Sequence, residues 1–80
     1  MSTVQVRIPK LGMSMQEGRL TERLIPDGGR ATVEEPLYVL ETEKVEQEID
    51  APATGTVRWL VEEDEDYEVG TLVAEIEPTG

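Results

Sequence analysis

The chain contains no cysteine and no histidine. The first absence excludes a disulfide framework, a thiolate metal centre and a thiol nucleophile. The second removes the commonest general base and the commonest metal ligand, so most enzyme mechanisms lose their usual residues. Phenylalanine is missing too, which leaves one tryptophan and two tyrosines as the aromatic bulk of an 80-residue chain whose core must be thin. Basic residues are scarce: seven stand against eighteen acidic ones, a formal net charge of −11. Such a surface repels phosphate backbones and anionic headgroups. It argues against nucleic acid and membranes, and favours protein partners with basic docking surfaces. No apolar run approaches the roughly 18–20 residues of a bilayer span, and the sequence does not begin with a basic stretch followed by an apolar one. One domain is expected, in the bacterial cytoplasm or another intracellular compartment, without a targeting segment or a large enclosed catalytic cavity.

What is present alternates. Val4, Val6 and Ile8 are interleaved with Gln5 and Arg7 as in a half-buried strand, which Pro9 ends. Residues 10–18 read as a loop; its Leu11, Met13 and Met15 are costly to leave wet, so the loop is expected to fold back on the domain. A second strand over 18–25 carries Leu20, Leu24 and Ile25 and stops at the turn Pro26-Asp27-Gly28-Gly29. Between residues 33 and 49 composition and pattern disagree. Glu, Leu, Lys and Gln favour a helix, and Pro36 suits its first position. Leu37, Val39, Val45, Gln47 and Ile49 instead include period-two runs on either side of Thr42-Glu43-Lys44, which predicts strand, hairpin, strand. After Ala51-Pro52-Ala53-Thr54-Gly55, a strand is expected over 56–61, a solvated turn over 62–66 and a last strand over 72–76. Pro78-Thr79-Gly80 reads as the start of a linker behind a domain at 1–77.

A shift of thirty-six positions lays Leu24-Ile25 on Leu60-Val61, Val33 on Val69, Leu37 on Val73 and Leu40 on Ile76. Repeated halves of short strands suggest two small antiparallel sheets packed face to face, each covering what the other cannot bury alone. Lys44 then sits on a hairpin at the opposite end from the chain termini. From spacing alone, a lysine among glutamates is ordinarily a solvated surface residue.

Several blocks together resemble a known family: residues 8–18, Ile8-Pro9-Lys10-Leu11-Gly12-Met13-Ser14-Met15-Gln16-Glu17-Gly18; then Glu41-Thr42-Glu43-Lys44-Val45; then Ile49-Asp50-Ala51-Pro52-Ala53-Thr54-Gly55; and Val69-Gly70. They are similar to lipoyl domains, in particular the N-terminal lipoyl domain of a dihydrolipoamide acyltransferase of a 2-oxo acid dehydrogenase complex, over roughly residues 4–77. The resemblance implies an all-β flattened barrel or sandwich of two four-stranded antiparallel sheets with internal two-fold pseudo-symmetry. It implies that lipoate is amide-linked to Lys44, with Glu41, Thr42, Glu43, Val45 and Glu46 as the recognition context. Implied partners are a lipoate ligase or lipoyl/octanoyl transferase, a thiamine-diphosphate-dependent decarboxylase, an acyltransferase catalytic domain and dihydrolipoamide dehydrogenase. The loop Leu11, Gly12, Met13, Ser14, Met15 and Gln16 is a second candidate for partner recognition, with core covering as its other reading. Relatives usually carry Gly-Asp at two equivalent turns, where Gly28-Gly29 and Asp64-Glu65 stand here. Glu34 replaces a frequent glycine, Val45 a frequent alanine and Gln47 an apolar residue.

Within these residues the domain has no catalytic acid or base and is expected to be a carrier, whose parent chain would be the acyltransferase. A biotin carrier of the same fold would have methionines flanking the lysine, where Glu43 and Val45 stand. The remaining rival is an unmodified sandwich used only for interaction. The acidic run from Asp64 to Glu75 would place Val69 where a calcium loop needs glycine. No metal site is expected.

Overall fold

In the computed structural model, which describes residues 3–78, the period-two pattern prevails and no helix occurs among the described residues. The strands are β1 (Val4–Arg7), β2 (Glu17–Arg23), β3 (Arg30–Ala31), β4 (Pro36–Glu41), β5 (Glu46–Asp50), β6 (Gly55–Trp59), β7 (Glu65–Glu68) and β8 (Leu72–Pro78). They form two four-stranded antiparallel sheets, ordered β1-β8-β6-β3 and β5-β4-β2-β7. A helix through 37–49 would spread Leu37, Tyr38, Leu40 and Ile49 over about half of its circumference. The β4–β5 hairpin instead buries Leu37, Tyr38 and Leu40 completely and half-buries Ile49. Burial outweighs the helix preference of the glutamates, which is only a few tenths of a kcal/mol per residue, roughly.

Two strands were not expected from the sequence, and others end elsewhere than expected. β3 has two residues and no pattern to announce it. Glu65 and Asp66, expected in a solvated turn, pair in β7 with Leu20 and Arg19; only Tyr67 of that strand is partly buried, so no apolar alternation marks it. β6 ends at Trp59, leaving Leu60 exposed, and β8 runs on through Pro78, one residue past the expected domain end. Thr79 and Gly80 lie outside the described residues. The two aromatics of the core meet edge-to-face: the Tyr38 and Trp59 rings are 6.1 Å apart at 83°. Trp59 Nε1 donates to the Ile25 carbonyl at 2.8 Å, and its backbone N–H donates to Asp27 Oδ1 at 2.8 Å.

The internal repeat extends to the pairing itself. Reversing the halves exchanges β1 with β5, β8 with β4, β6 with β2 and β3 with β7, which maps one sheet order onto the other. The register follows: Leu20 faces Leu40 as Val57 faces Ile76, and Gln47 faces Leu40 as Val4 faces Ile76. Between these halves β2 carries one extra residue, Thr21, taken up by a bulge that has no counterpart in β6. The turn hydrogen bonds also recur in pairs, Glu34 N–H to Ala51 O and Gly70 N–H to Ile8 O, both at 2.9 Å.

Among the described residues four have positive φ, and they too are two related pairs: Gly28 (82°) with Asp64 (61°), and Glu34 (73°) with Gly70 (90°). Each turn demands the left-handed conformation, but each half supplies glycine at only one of the two. Asp tolerates this region because its short side chain bonds locally, whereas glutamate bears the Cβ penalty without that relief. Glu34→Gly is therefore expected to stabilise the fold by about 0.5–1 kcal/mol, the left-handed penalty less the entropy of a more flexible unfolded chain. Asp64→Gly should change little. Urea unfolding followed by Trp59 fluorescence measures both; a Glu34→Gly protein less stable than its parent would show that the turn is not strained.

Candidate functional site

Glu41 pairs with Glu46, so the β4–β5 connection is closed by Thr42, Glu43, Lys44 and Val45. Thr42 determines its shape. Its N–H donates to Val45 O at 2.7 Å, while its Oγ1 accepts from the N–H groups of Val45 (3.2 Å) and Lys44 (3.4 Å) and lies 3.3 Å from Val45 O. One threonine hydroxyl thus ties both ends of the turn, and neither Glu43 nor Lys44 needs a positive φ. Lys44 itself is exposed at the tip. Among the described residues no carboxylate lies within 4.0 Å of its amine, although Glu41, Glu43 and Glu46 surround it in sequence; the ion pair that does form is Arg19 with Asp66 at 3.8 Å.

The structure brings the two sequence-predicted regions together. Leu11, Gly12, Ser14, Met15 and Gln16 form one wall of an open groove of about 700 Å³, and Glu41, Thr42, Glu43, Lys44 and Val45 form the other. The two readings of the loop divide by residue. Leu11 and Met15 are half-buried against the core, joined by a 3.2 Å contact from the Leu11 N–H to Met15 Sδ. Met13 is 96% exposed, so the expectation that all three apolar side chains fold back fails for this one. Glu46 is exposed and does not line the groove, whereas Glu17, Gly18, Arg19 and Asp66 do. None of these four was named as a site residue from the sequence, although Glu17 and Gly18 close the family-like block 8–18. Glu17 and Gly18 continue from the loop into β2, whereas Asp66 joins opposite Arg19 through the pairing of β2 with β7, for which a strand with no alternating pattern gave no signal.

Arg19 is fixed by the backbone of Asp64, whose carbonyl accepts from its guanidinium at 2.9 Å. Two tyrosines have displaced ionisation, both upward: Tyr38 by burial, and Tyr67 by burial first and then by its hydrogen bond with Glu65. Neither lines the groove. What the arrangement offers chemically is a primary amine on a protruding, braced turn, open to solvent and flanked by a groove. An amide-linked arm fits there without displacing any core side chain.

The family model described as Biotin-requiring enzyme (Biotin_lipoyl) matches residues 4–76. The chain is 40% identical over 76 residues to the dihydrolipoyllysine-residue acetyltransferase component of a pyruvate dehydrogenase complex from Corynebacterium glutamicum, an alignment covering 94% of this chain and 11% of that protein. It is 33% identical to the lipoamide acyltransferase component of the branched-chain alpha-keto acid dehydrogenase complex of Bacillus subtilis, covering 100% of this chain and 19% of that one. A succinyltransferase component of a 2-oxoglutarate dehydrogenase complex from Bartonella vinsonii is 32% identical over 94% of the chain and 18% of its own length. The chain thus spans between about a tenth and a fifth of the length of these relatives. With its two-sheet fold and a lysine on the hairpin, the chain belongs to the Biotin_lipoyl family and groups there with the lipoyl domains of 2-oxo acid dehydrogenase acyltransferases.

Proposed function

We propose that this domain is a lipoyl carrier in which Lys44 holds lipoate as an amide, and that it serves a 2-oxo acid dehydrogenase complex as part of an acyltransferase chain. The observation that carries the reading is Lys44 itself: an exposed lysine placed on a turn whose geometry one threonine hydroxyl fixes. When bound, the dithiolane supplies a disulfide able to accept an acyl group together with two electrons. The chain's own contribution is positional. A lysine ammonium is a poor nucleophile at neutral pH, so a separate ligase or lipoyl/octanoyl transferase has to deprotonate and acylate it. The braced turn presents the amine reproducibly to that enzyme. Amidation removes the positive charge, leaving Glu41, Glu43 and Glu46 to dominate the tip.

Tethering then replaces free diffusion by a local search among the active sites of a thiamine-diphosphate-dependent decarboxylase, an acyltransferase domain and dihydrolipoamide dehydrogenase. No residue of this domain is assigned a catalytic role. The bacterial relatives fit a place in the cytoplasm.

The duplication supports a recognition role for the loop as well. Eight residues separate Pro9 from Gly18, but only two separate the equivalent Pro52 and Gly55. The second half closes the same connection without the extra length, so the fold does not require it. Loop and hairpin share one groove, and Met13 offers a partner an uncovered apolar contact.

Incubating the lipoylated domain with the decarboxylase, its 2-oxo acid and thiamine diphosphate should acylate one thiol per domain, visible by mass. A lipoylated domain that no decarboxylase of the 2-oxo acid class acylates would overturn the carrier reading. Thr42→Val tests the brace: lipoylation is expected to slow about tenfold while stability falls by roughly 1 kcal/mol or less, the value of an exposed hydrogen bond. An unchanged rate would show that the hydroxyl does not position the lysine.

A further inference from the structure

The pseudo-symmetry supplies two outer sheet faces with the same backbone, and their charges differ. The strands of the β5-β4-β2-β7 sheet carry nine acidic and two basic side chains; those of the β1-β8-β6-β3 sheet carry two acidic and three basic. The contrast holds between equivalent positions. Glu48 of β5 faces Val39 where Gln5 of β1 faces Glu75, and Asp50 faces Pro36 where Arg7 faces Leu72. Asp66 of β7 faces Arg19 where Arg30 of β3 faces Thr56. Since one backbone accepts glutamine or arginine at the places where the other has Glu48, Asp50 and Asp66, folding does not require the acids. Glu48 and Asp50 are exposed, and neither makes a side-chain hydrogen bond or ion pair among the described residues.

We infer that the outer face of the β5-β4-β2-β7 sheet is the surface with which the domain docks, and that its partner is a protein surface carrying clustered arginine and lysine around the active-site entrance of the decarboxylase; this rests on the carrier reading above. The face is continuous with the hairpin, because β4 and β5 run directly into the turn that holds Lys44. A domain charged mainly on one face is turned by the field of a basic surface before contact, and only that face comes within a Debye length, about 10 Å at 0.1 M salt. The turn bearing Lys44 then arrives pointing at the entrance. Arg19, the cation in the middle of the face, is held by Asp66 and the Asp64 carbonyl and does not project as a free opposing charge. The other face, near neutral, is left toward solvent.

Two double variants with equal charge change separate the face from the net charge. Glu48→Gln with Asp50→Arg places the β1 residues on β5; Glu75→Gln with Glu77→Arg makes the same change of charge on β8. Each is lipoylated, checked by intact mass, and assayed for reductive acylation by the decarboxylase of the same organism from low salt to about 0.5 M. The β5 variant is expected to raise KM about tenfold at low salt with kcat unchanged, a difference that disappears at high salt, while the β8 variant stays within about twofold of the parent. Equal losses in both variants, or no loss in either, would overturn the docking face. A parent chain that takes up no lipoate overturns the carrier reading itself and this inference with it, an outcome the mass measurement reveals before any kinetics.

Discussion

Exchanging the two residues at the hairpin tip, Glu43→Lys with Lys44→Glu, should reduce lipoylation at least about a hundredfold although a lysine remains on the turn. Composition, net charge and the β4–β5 pairing are all preserved by the exchange. What changes is the place and direction of the amine. Thr42 bonds to the backbone N–H groups of Lys44 and Val45 but not to that of Glu43, so position 44 lies on the tied side of the turn. Successive residues of a tight turn project differently, and an enzyme that must bring an activated carboxyl to within bonding distance of the amine loses orders of magnitude to a displacement of an ångström or two. The rate of mass gain with lipoate and lipoate ligase measures this. Lipoylation of the exchanged protein at the parental rate would mean that any exposed lysine on the hairpin suffices, and that the brace has no function.

The second large effect concerns the fold. Gly18 and Gly55 are equivalent in the two halves: Gly18 pairs with Tyr67 and Gly55 with Ala31. They will not tolerate alanine equally. A Cβ on Gly55 would collide with the backbone carbonyl of Glu77 and its carbon, atoms held in the β6–β8 ladder. On Gly18 it would meet the side-chain ends Leu40 Cδ1 at 2.7 Å and Met15 Cε at 3.0 Å. Flexible side-chain ends rotate away; a paired backbone moves only by disturbing its ladder. Gly55→Ala should therefore cost about 3 kcal/mol and Gly18→Ala nearer 1 kcal/mol. Out of a total of roughly 4–12 kcal/mol for a domain this size, the first loss is severe. Urea unfolding monitored by Trp59, which is 8% exposed in the folded chain, reports both. Equal losses would mean that the Glu77 backbone can yield as readily as Leu40.

How far the sequence revealed this arrangement depends on whether residues signal through burial. β1, β2, β4, β6 and β8 were legible because they send alternate or consecutive apolar residues into the core, as Val6, Leu20, Leu37, Val57 and Val73 do. β3 and β7 were not, because a two-residue strand and a strand with three exposed acids bury too little to leave a pattern. The thirty-six-residue repeat was legible in its apolar positions, while the bulge at Thr21 was not, being a matter of pairing and not of composition. At the site, Lys44 and its neighbours were singled out by the family resemblance, since spacing alone reads a lysine among glutamates as a solvated surface residue. That the loop containing Leu11 and Met15 would share a groove with the hairpin, and that Arg19 and Asp66 would join it, depends on β2 lying between β4 and β7. The strain at Glu34 fell between the two: the missing glycine was visible in the sequence, but its φ of 73° and its equivalence to Gly70 belong to the folded chain.

Lys44 carries the account, and the most direct test is a mass measurement on the chain's two lysines, Lys10 and Lys44. The protein is expressed with lipoate and a lipoate ligase beside Lys44→Gln, and intact masses are followed by peptide mapping. The expected result is a single gain of one lipoyl amide in the parent, located on the peptide containing Lys44, with no gain in the variant. Equal masses for the two proteins, or a lipoyl group on Lys10, would contradict it.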